Sequence, residues 1–394
     1  MQSGSYRFDR VEFAGSLGDL GTLIPLAIGL ITINGLSFSA VFLWVGLFYL
    51  IAGLYYRLPI PVQPLKLVSA IAIAFPEKIT IPVIAATGVL FGGALLVLAF
   101  TGLIDRLARL FTRPIVRGIQ LGLGFILMIK GLELINRPEL LPGSSHSISL
   151  GSIPLNPLLG LAALALVLCL LNSRRYPAAL MVVIAGIAVA LPFGSLHDLH
   201  WEFGPTAMDL VIPGVNDFTT ALFLLVIPQL PLTIGNAVIG TSDTARNLFG
   251  SGSATARVSN RSFSLGMGLI NLCVGLMAAM PLCHGAGGLA AHYRFGARTG
   301  GSNIMLGLLF ILIALAFGGI GVGLLSTIPN AVLGVLLLFA GLELALLIRD
   351  VRERQELFII LLIAGISLAT ANMGIAFVAG IIVSGFLRWR GIKI

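Results

Sequence analysis

The chain has 394 residues, 57% of them hydrophobic and only 10% charged, with a mean hydropathy of +1.04. So few charges cannot cover a soluble protein of this size, and apolar runs of about 17–25 residues recur along the whole length, which reads as an all-α polytopic membrane protein. The net charge of +8 does not point to nucleic acid, because the positions of the basic residues have a different explanation.

The first ten residues, MQSGSYRFDR, are too polar for a signal peptide. Fourteen membrane segments follow, at roughly 12–32, 37–56, 59–75, 82–104, 114–135, 154–171, 177–193, 215–240, 261–280, 281–293, 301–318, 328–348, 355–371 and 373–388. With a cytoplasmic N-terminus, every basic residue except Lys66, Lys78, Lys130 and Arg137 falls on the cytoplasmic side, as the positive-inside rule requires. An error of one segment would reverse every later loop. Both termini are then cytoplasmic, and the inner cell membrane is the expected location. The last apolar run ends directly in WRGIKI, so no soluble regulatory domain is expected. Cys169, Cys273 and Cys283 all lie in apolar spans and imply no disulfide framework.

The two halves resemble each other. Residues 88–134 and 307–344 each carry an apolar span, a proline opening the next helix, and a closing GLEL. Halves of seven spans each, 1–194 and 215–394, must be inverted in the membrane, because seven is odd. Inverted repeats are typical of secondary transporters that hold substrate near the midplane with broken helices.

Four segments look interrupted. In the third, PIPVQPLK, Pro59, Pro61 and Pro64 exclude a helix interior over 59–63. Five extended residues cover about 16 Å, half the hydrocarbon core, so a helix from Pro64 to Phe75 would start near the midplane. The tenth, MPLCHGAGGLAAHYRFG, copies this from the other side, with an extended 281–283 and a short helix from about His284. Two helix N-termini, with their free N–H groups and positive dipole ends, then converge on an anion site. The first and eighth segments, GSLGDLGTLIP and IPQLPLTIGN, bring Asp19, Thr22, Gln229 and Asn236 to similar depth.

Lys66 in the first turn of a half-helix opposes the dipole, and a desolvated lysine within the membrane is costly. A negative partner is required: either Asp19 as a static pair, or a bound anion. Thr22 and Gln229 supply hydrogen-bond donors without fixed charge, although Gln229 and Asn236 also fit a role in stitching helices together. His284 is either a donor at the site or a packed neutral side chain. Glu133 and Glu343, in the paired GLEL motifs, read as structural. HDLH at 197–200 lacks a third metal ligand, and Glu202, Asp209 and Asp217 read as a solvated face. No Walker-type loop, catalytic dyad or metal triad is present, so an ATPase, an enzyme or a cofactor-bearing protein is not expected.

GDLGTLIP, PIPVQPLK, IPQLPLT and MPLCHGAGGLAAHYRFGARTGG resemble the molybdate transporter family, a branch of the sulfate permease superfamily. The resemblance covers nearly the whole chain. It implies a core domain of spans 1–4 and 8–11 and a gate domain of spans 5–7 and 12–14. Substrate is then expected at the facing ends of spans 3 and 10, with spans 1 and 8 alongside. By motif position the site residues are Asp19, Thr22, Gln63, Lys66, Gln229, Asn236, His284 and Gly285. The expected function is import of molybdate by alternating access; a carrier of sulfate or another oxyanion, or an anion channel, is the alternative. A coupled proton, with Asp19 and Glu12 as candidate carriers, and a homodimer through the gate domain are further expectations.

Overall fold

A computed structural model of the chain describes residues 6–108, 112–142, 149–150, 153–171, 173, 178–190 and 202–390. The HDLH stretch lies outside them. Among the described residues, seven helical runs are long and apolar enough to cross a membrane: Arg10–Thr32, Phe38–Tyr56, Ile81–Thr101, Arg113–Ile135, Val215–Phe249, Asn330–Asp350 and Met373–Arg390. Shorter helices fill the other segments, including Leu155–Leu170, Ala178–Ala190, Asn260–Leu276, Gly301–Ala316 and Arg354–Thr370.

Their ends follow local chemistry. Asp9 caps the first helix by accepting from the Val11 and Glu12 N–H groups, and the Glu12 contact, followed by Arg7, holds its carboxyl below the usual range. Ser37 and Ser259 cap two later helices. Gly102, at φ 67°, ends Ile81–Thr101 in the left-handed region that a Cβ disfavours.

The long helices pack as antiparallel pairs through glycine. Phe38–Tyr56 meets Gly301–Ala316 at Gly46 against Gly307 and Gly53 against Gly300. Ile81–Thr101 meets Asn260–Leu276 at Gly88 against Gly275 and Gly92 against Gly268. Arg113–Ile135 meets Asn330–Ala345 at Gly124 against Gly341 and Gly131 against Gly334. A Cβ on Gly46 would lie 2.7 Å from the Gly307 carbonyl oxygen, so the backbones approach as closely as small-residue helix packing allows.

Between these pairs lie two discontinuous segments. Gln63–Pro64 and Leu282–Cys283 are two-residue strands paired antiparallel, Gln63 opposite Cys283 and Pro64 opposite Leu282. The Leu65 N–H extends the ladder by donating to the Pro281 carbonyl at 2.8 Å. Non-helical backbone among apolar helices needs partners for every polar group. Four consecutive carbonyls find them on side chains from elsewhere. His292 Nδ1 lies 3.0 Å from Pro59 O, Asn303 Nδ2 donates to Ile60 O, His284 Nδ1 lies 2.8 Å from Pro61 O, and Tyr49 donates to Val62 O at 3.2 Å. A carbonyl only accepts, so both histidines donate from Nδ1. Asn271 holds the second strand from both sides, accepting the Leu282 N–H at 2.9 Å and donating to its carbonyl at 2.7 Å.

Three local expectations need correction. The first half-helix runs Lys66–Ala74, with Leu65 as N-cap, and does not begin at Pro64. The strand ladder claims Pro64 and the Leu65 N–H, so the helix starts two residues later. The second runs Ala286–Phe295 with Gly285 as N-cap, beyond His284, whose side chain is committed to Pro61. The eighth segment is not broken at IPQLPL. Residues 227–232 stay helical between π turns at Leu222–Val226 and Thr233–Gly240, and the run continues to Phe249 instead of stopping near 240. The wider π turns absorb the backbone mismatch that Pro231 brings. In the first segment a 3-10 turn, Leu17–Asp19, separates two helical stretches.

Candidate functional site

Asp19 ends the 3-10 turn and is buried at 5% exposure. Gln63, in the first strand, donates from Nε2 to both carboxylate oxygens, at 2.8 and 2.7 Å. This contact ties the first segment to the strand crossing. The second half-helix lies directly against it. A Cβ on Gly288 would collide with Asp19 Oδ2, and one on Gly285 would collide with Gln63 Oε1. Both glycines are therefore required by close approach, not by φ. Gln63 Oε1 is buried and has no hydrogen-bond partner.

Lys66 is the first residue of its half-helix and half-buried. Among the described residues it has no ion pair within 4.0 Å, so the static pair with Asp19 is not formed. Gln229 stands beside it. Its Oε1 accepts the Leu67 N–H at 3.1 Å, capping the Lys66–Ala74 helix, while its Nε2 donates to Thr233 at 3.0 Å. Gln229 therefore stitches the eighth segment to the first half-helix while lining space beside Lys66.

That space has two parts. A cavity of about 430 Å³ is lined by Asp19, Thr22, Gln63, Lys66, Gly287 and Gly288 on one wall. Leu127, Leu336, Phe339, Ala340 and Glu343 line the other, and the cavity reaches the helix ends at Leu171, Ala178 and Leu347. Behind Lys66, a pocket of about 20 Å³ is lined by Gln120, Gln229, Thr233, Asn236 and Cys283, which is room for about one water.

Asp19, Thr22, Gln63 and Lys66 are thus brought together, with Gly285 under Gln63. Gln229 and Asn236 reach the small pocket and not the larger cavity. His284 is not brought in. Its ring packs 4.6 Å from Phe48, 5.3 Å from Phe263 and 5.9 Å from Tyr56, in an aromatic cluster that lines neither space. Glu12 is also elsewhere: fully buried, it accepts from the Arg298 and Thr299 N–H groups at 3.0–3.2 Å, fastening the loop after the second half-helix. Reading from sequence missed Glu343 in the cavity wall and Gln120 in the pocket. The repeated GLEL was the available signal for the first; nothing marked the second.

The arrangement suits a small anion. Lys66, with no ion pair among the described residues, a neutral amide and hydroxyl, and the N-terminal turns of two short helices border one chamber, which the carboxyl groups of Asp19 and Glu343 also line. Among the described residues no group of three or more His, Cys, Asp or Glu could hold a metal ion.

Comparison with known proteins agrees with this geometry. The family described as "Molybdate transporter of MFS superfamily" matches residues 11–127 and 221–344. Molybdate transporter 1 of Arabidopsis thaliana is 34% identical, covering 95% of this chain and 87% of that protein. Molybdate transporter 2 of the same plant is 32% identical over 96% and 87%. Molybdate transporter 1 of Chlamydomonas reinhardtii is 31% identical over 94% and 90%. Among solved structures, murine Solute Carrier 26 family member A9 in the inward-facing state matches with TM-score 0.69 at 15% identity, covering 100% of this chain and 70% of that one. The transmembrane domain of the cyanobacterial bicarbonate transporter BicA matches with TM-score 0.65 at 15% identity, over 97% of each chain. At such identity these two matches speak for the fold alone.

Proposed function

Because the chain belongs to the molybdate transporter family, we propose that it imports molybdate across the cell membrane as a secondary transporter. It is an integral multi-pass membrane protein and not an enzyme. The observation that carries the proposal is Lys66: a cation without an ion pair, at the start of a half-helix, facing a chamber into which a second helix N-terminus also points. A tetrahedral dianion there offsets the dipole and desolvation costs together.

The glycine-paired helices support an inverted seven-plus-seven architecture. Under such a repeat, the pair Phe38–Tyr56 with Gly301–Ala316 exchanges with the pair Ile81–Thr101 with Asn260–Leu276. The pair Arg113–Ile135 with Asn330–Ala345 maps onto itself, as do the two strands. The chamber lies between the half-helix segments, which belong to the core domain, and Arg113–Ile135 with Asn330–Ala345, which belong to the gate. With the N-terminus in the cytoplasm, it opens inward. Tilting of gate against core then gives alternating access.

Bringing a dianion into a negative-inside cell costs about 4.6 kcal/mol per 100 mV, so a coupled ion is expected. Asp19, in the chamber and adjacent to substrate, is the proposed proton carrier. Purified protein in proteoliposomes tests the function: labelled molybdate uptake is expected to saturate and to be competed by unlabelled molybdate more strongly than by sulfate, with uracil inert. Equal competition by sulfate makes the protein a general oxyanion carrier. Unsaturable flux with large unitary currents makes it a channel.

A further inference from the structure

GLEL occurs twice, at 131–134 and 341–344. In the fold both copies lie at one crossing, where Gly131 packs on Gly334 and Gly124 on Gly341. Each glutamate follows its helix's contact glycine by two residues, Glu133 after Gly131 and Glu343 after Gly341. A half turn about the crossing exchanges them, but their surroundings differ. Glu343 is exposed and lines the chamber across from Lys66. Glu133 lines no part of it; its side chain is 58% exposed and pairs with Lys130 at 3.3 Å.

Among the described residues, the charged side chains lining the chamber are Asp19, Lys66 and Glu343. Asp19 is hydrogen-bonded to Gln63, whereas Glu343 makes no ion pair among the described residues and faces the space an anion must cross on leaving. A carboxylate there cannot help hold a dianion; it opposes one. In a medium as polar as water, a unit charge about 9 Å from a dianion disfavours it by about fivefold.

We propose that Glu343 is a release residue, lowering anion affinity in the state with the chamber open toward Leu171, Ala178 and Leu347. The inference rests on the reading of the chain as an alternating-access anion carrier. It adds a division of labour: the core segments bind, and a gate carboxylate lets go.

The test is the half-saturating molybdate concentration for labelled flux entering from each face, measured in right-side-out and inside-out membrane vesicles. Glu343→Gln is expected to lower it about fivefold at the cytoplasmic face and to leave the outer face unchanged; Glu133→Gln, outside the chamber and offset by Lys130, is expected to leave both faces unchanged. Glu343→Asp, which keeps the charge, is expected to match the wild type. A Glu343→Gln variant that shifts both faces alike, or neither, overturns the proposal while leaving the transport reading in place. Wild-type vesicles that carry no molybdate overturn both.

Discussion

The amide of Gln63 donates to both carboxylate oxygens of Asp19, at 2.8 and 2.7 Å, and so leaves Lys66 without the partner that its position in a half-helix demands. Asp19 has been satisfied by a neutral group. Among the described residues Lys66 has no ion pair, and on the proposed reading a bound anion balances its charge.

Lys66→Gln is therefore expected to fold with little change in melting temperature, because no ion pair is lost. Its molybdate affinity is expected to fall at least about tenfold, or 1.4 kcal/mol. Lys66→Arg keeps the charge but carries a larger planar head, and is expected to recover only part of the loss. Binding by isothermal titration alongside thermal unfolding separates the two quantities. Unchanged affinity in Lys66→Gln would leave the helix ends alone to account for the anion.

Gly285→Val places side-chain atoms where Gln63 Oε1 lies, and Gly288→Val does so at Asp19 Oδ2. Both variants are expected to lose molybdate binding. The check is retention of a monodisperse gel-filtration peak together with absent binding. Normal binding in either variant would misplace the second half-helix relative to the site.

His284→Ala is expected to act on stability instead. It frees the buried Pro61 carbonyl and leaves a hole among Phe48, Tyr56 and Phe263. The combined cost is on the order of 2–4 kcal/mol. A lower melting temperature with near-normal affinity in the folded fraction is the expected outcome. A specific loss of affinity without destabilisation would return His284 to the site.

Coupling distinguishes two carboxylates. Asp19→Asn is expected to abolish the dependence of molybdate uptake on an imposed proton gradient. Glu12→Gln is expected to retain that dependence with reduced thermal stability, since Glu12 is occupied by the Arg298 and Thr299 N–H groups. Flux that ignores the proton gradient in the wild type would sink the assignment of Asp19.

Much of the site was legible because proline and charge are conspicuous in an apolar chain. Pro59, Pro61 and Pro64 marked the extended stretch, and Lys66 marked the place where something negative must come. Start positions were off by two residues, because whether a backbone N–H enters a helix or a ladder depends on a strand more than two hundred residues away. The direction of His284 was hidden for the same reason: its partner, Pro61, is 223 residues distant in sequence. That Glu343 lines the chamber was hidden because every face of such a helix is apolar, so periodicity does not reveal which side borders a cavity. IPQLPL was expected to break, and π turns, which leave no signal in composition, kept it helical.

The four carbonyls held by His292, Asn303, His284 and Tyr49 carry one more consequence. The clamps on Pro59, Ile60 and Val62 come from three different helices, and that on Pro61 comes from His284 just before the second half-helix; together they bolt the backbone beside Lys66 to the core. On the proposed alternating-access reading that backbone moves as one plate, and the bending falls to connectors outside it, such as the turn at Gly102 after Ile81–Thr101. A brace across that hinge would make a protein that still captures its ligand but never delivers it, which separates occupancy from turnover by chemistry applied far from either.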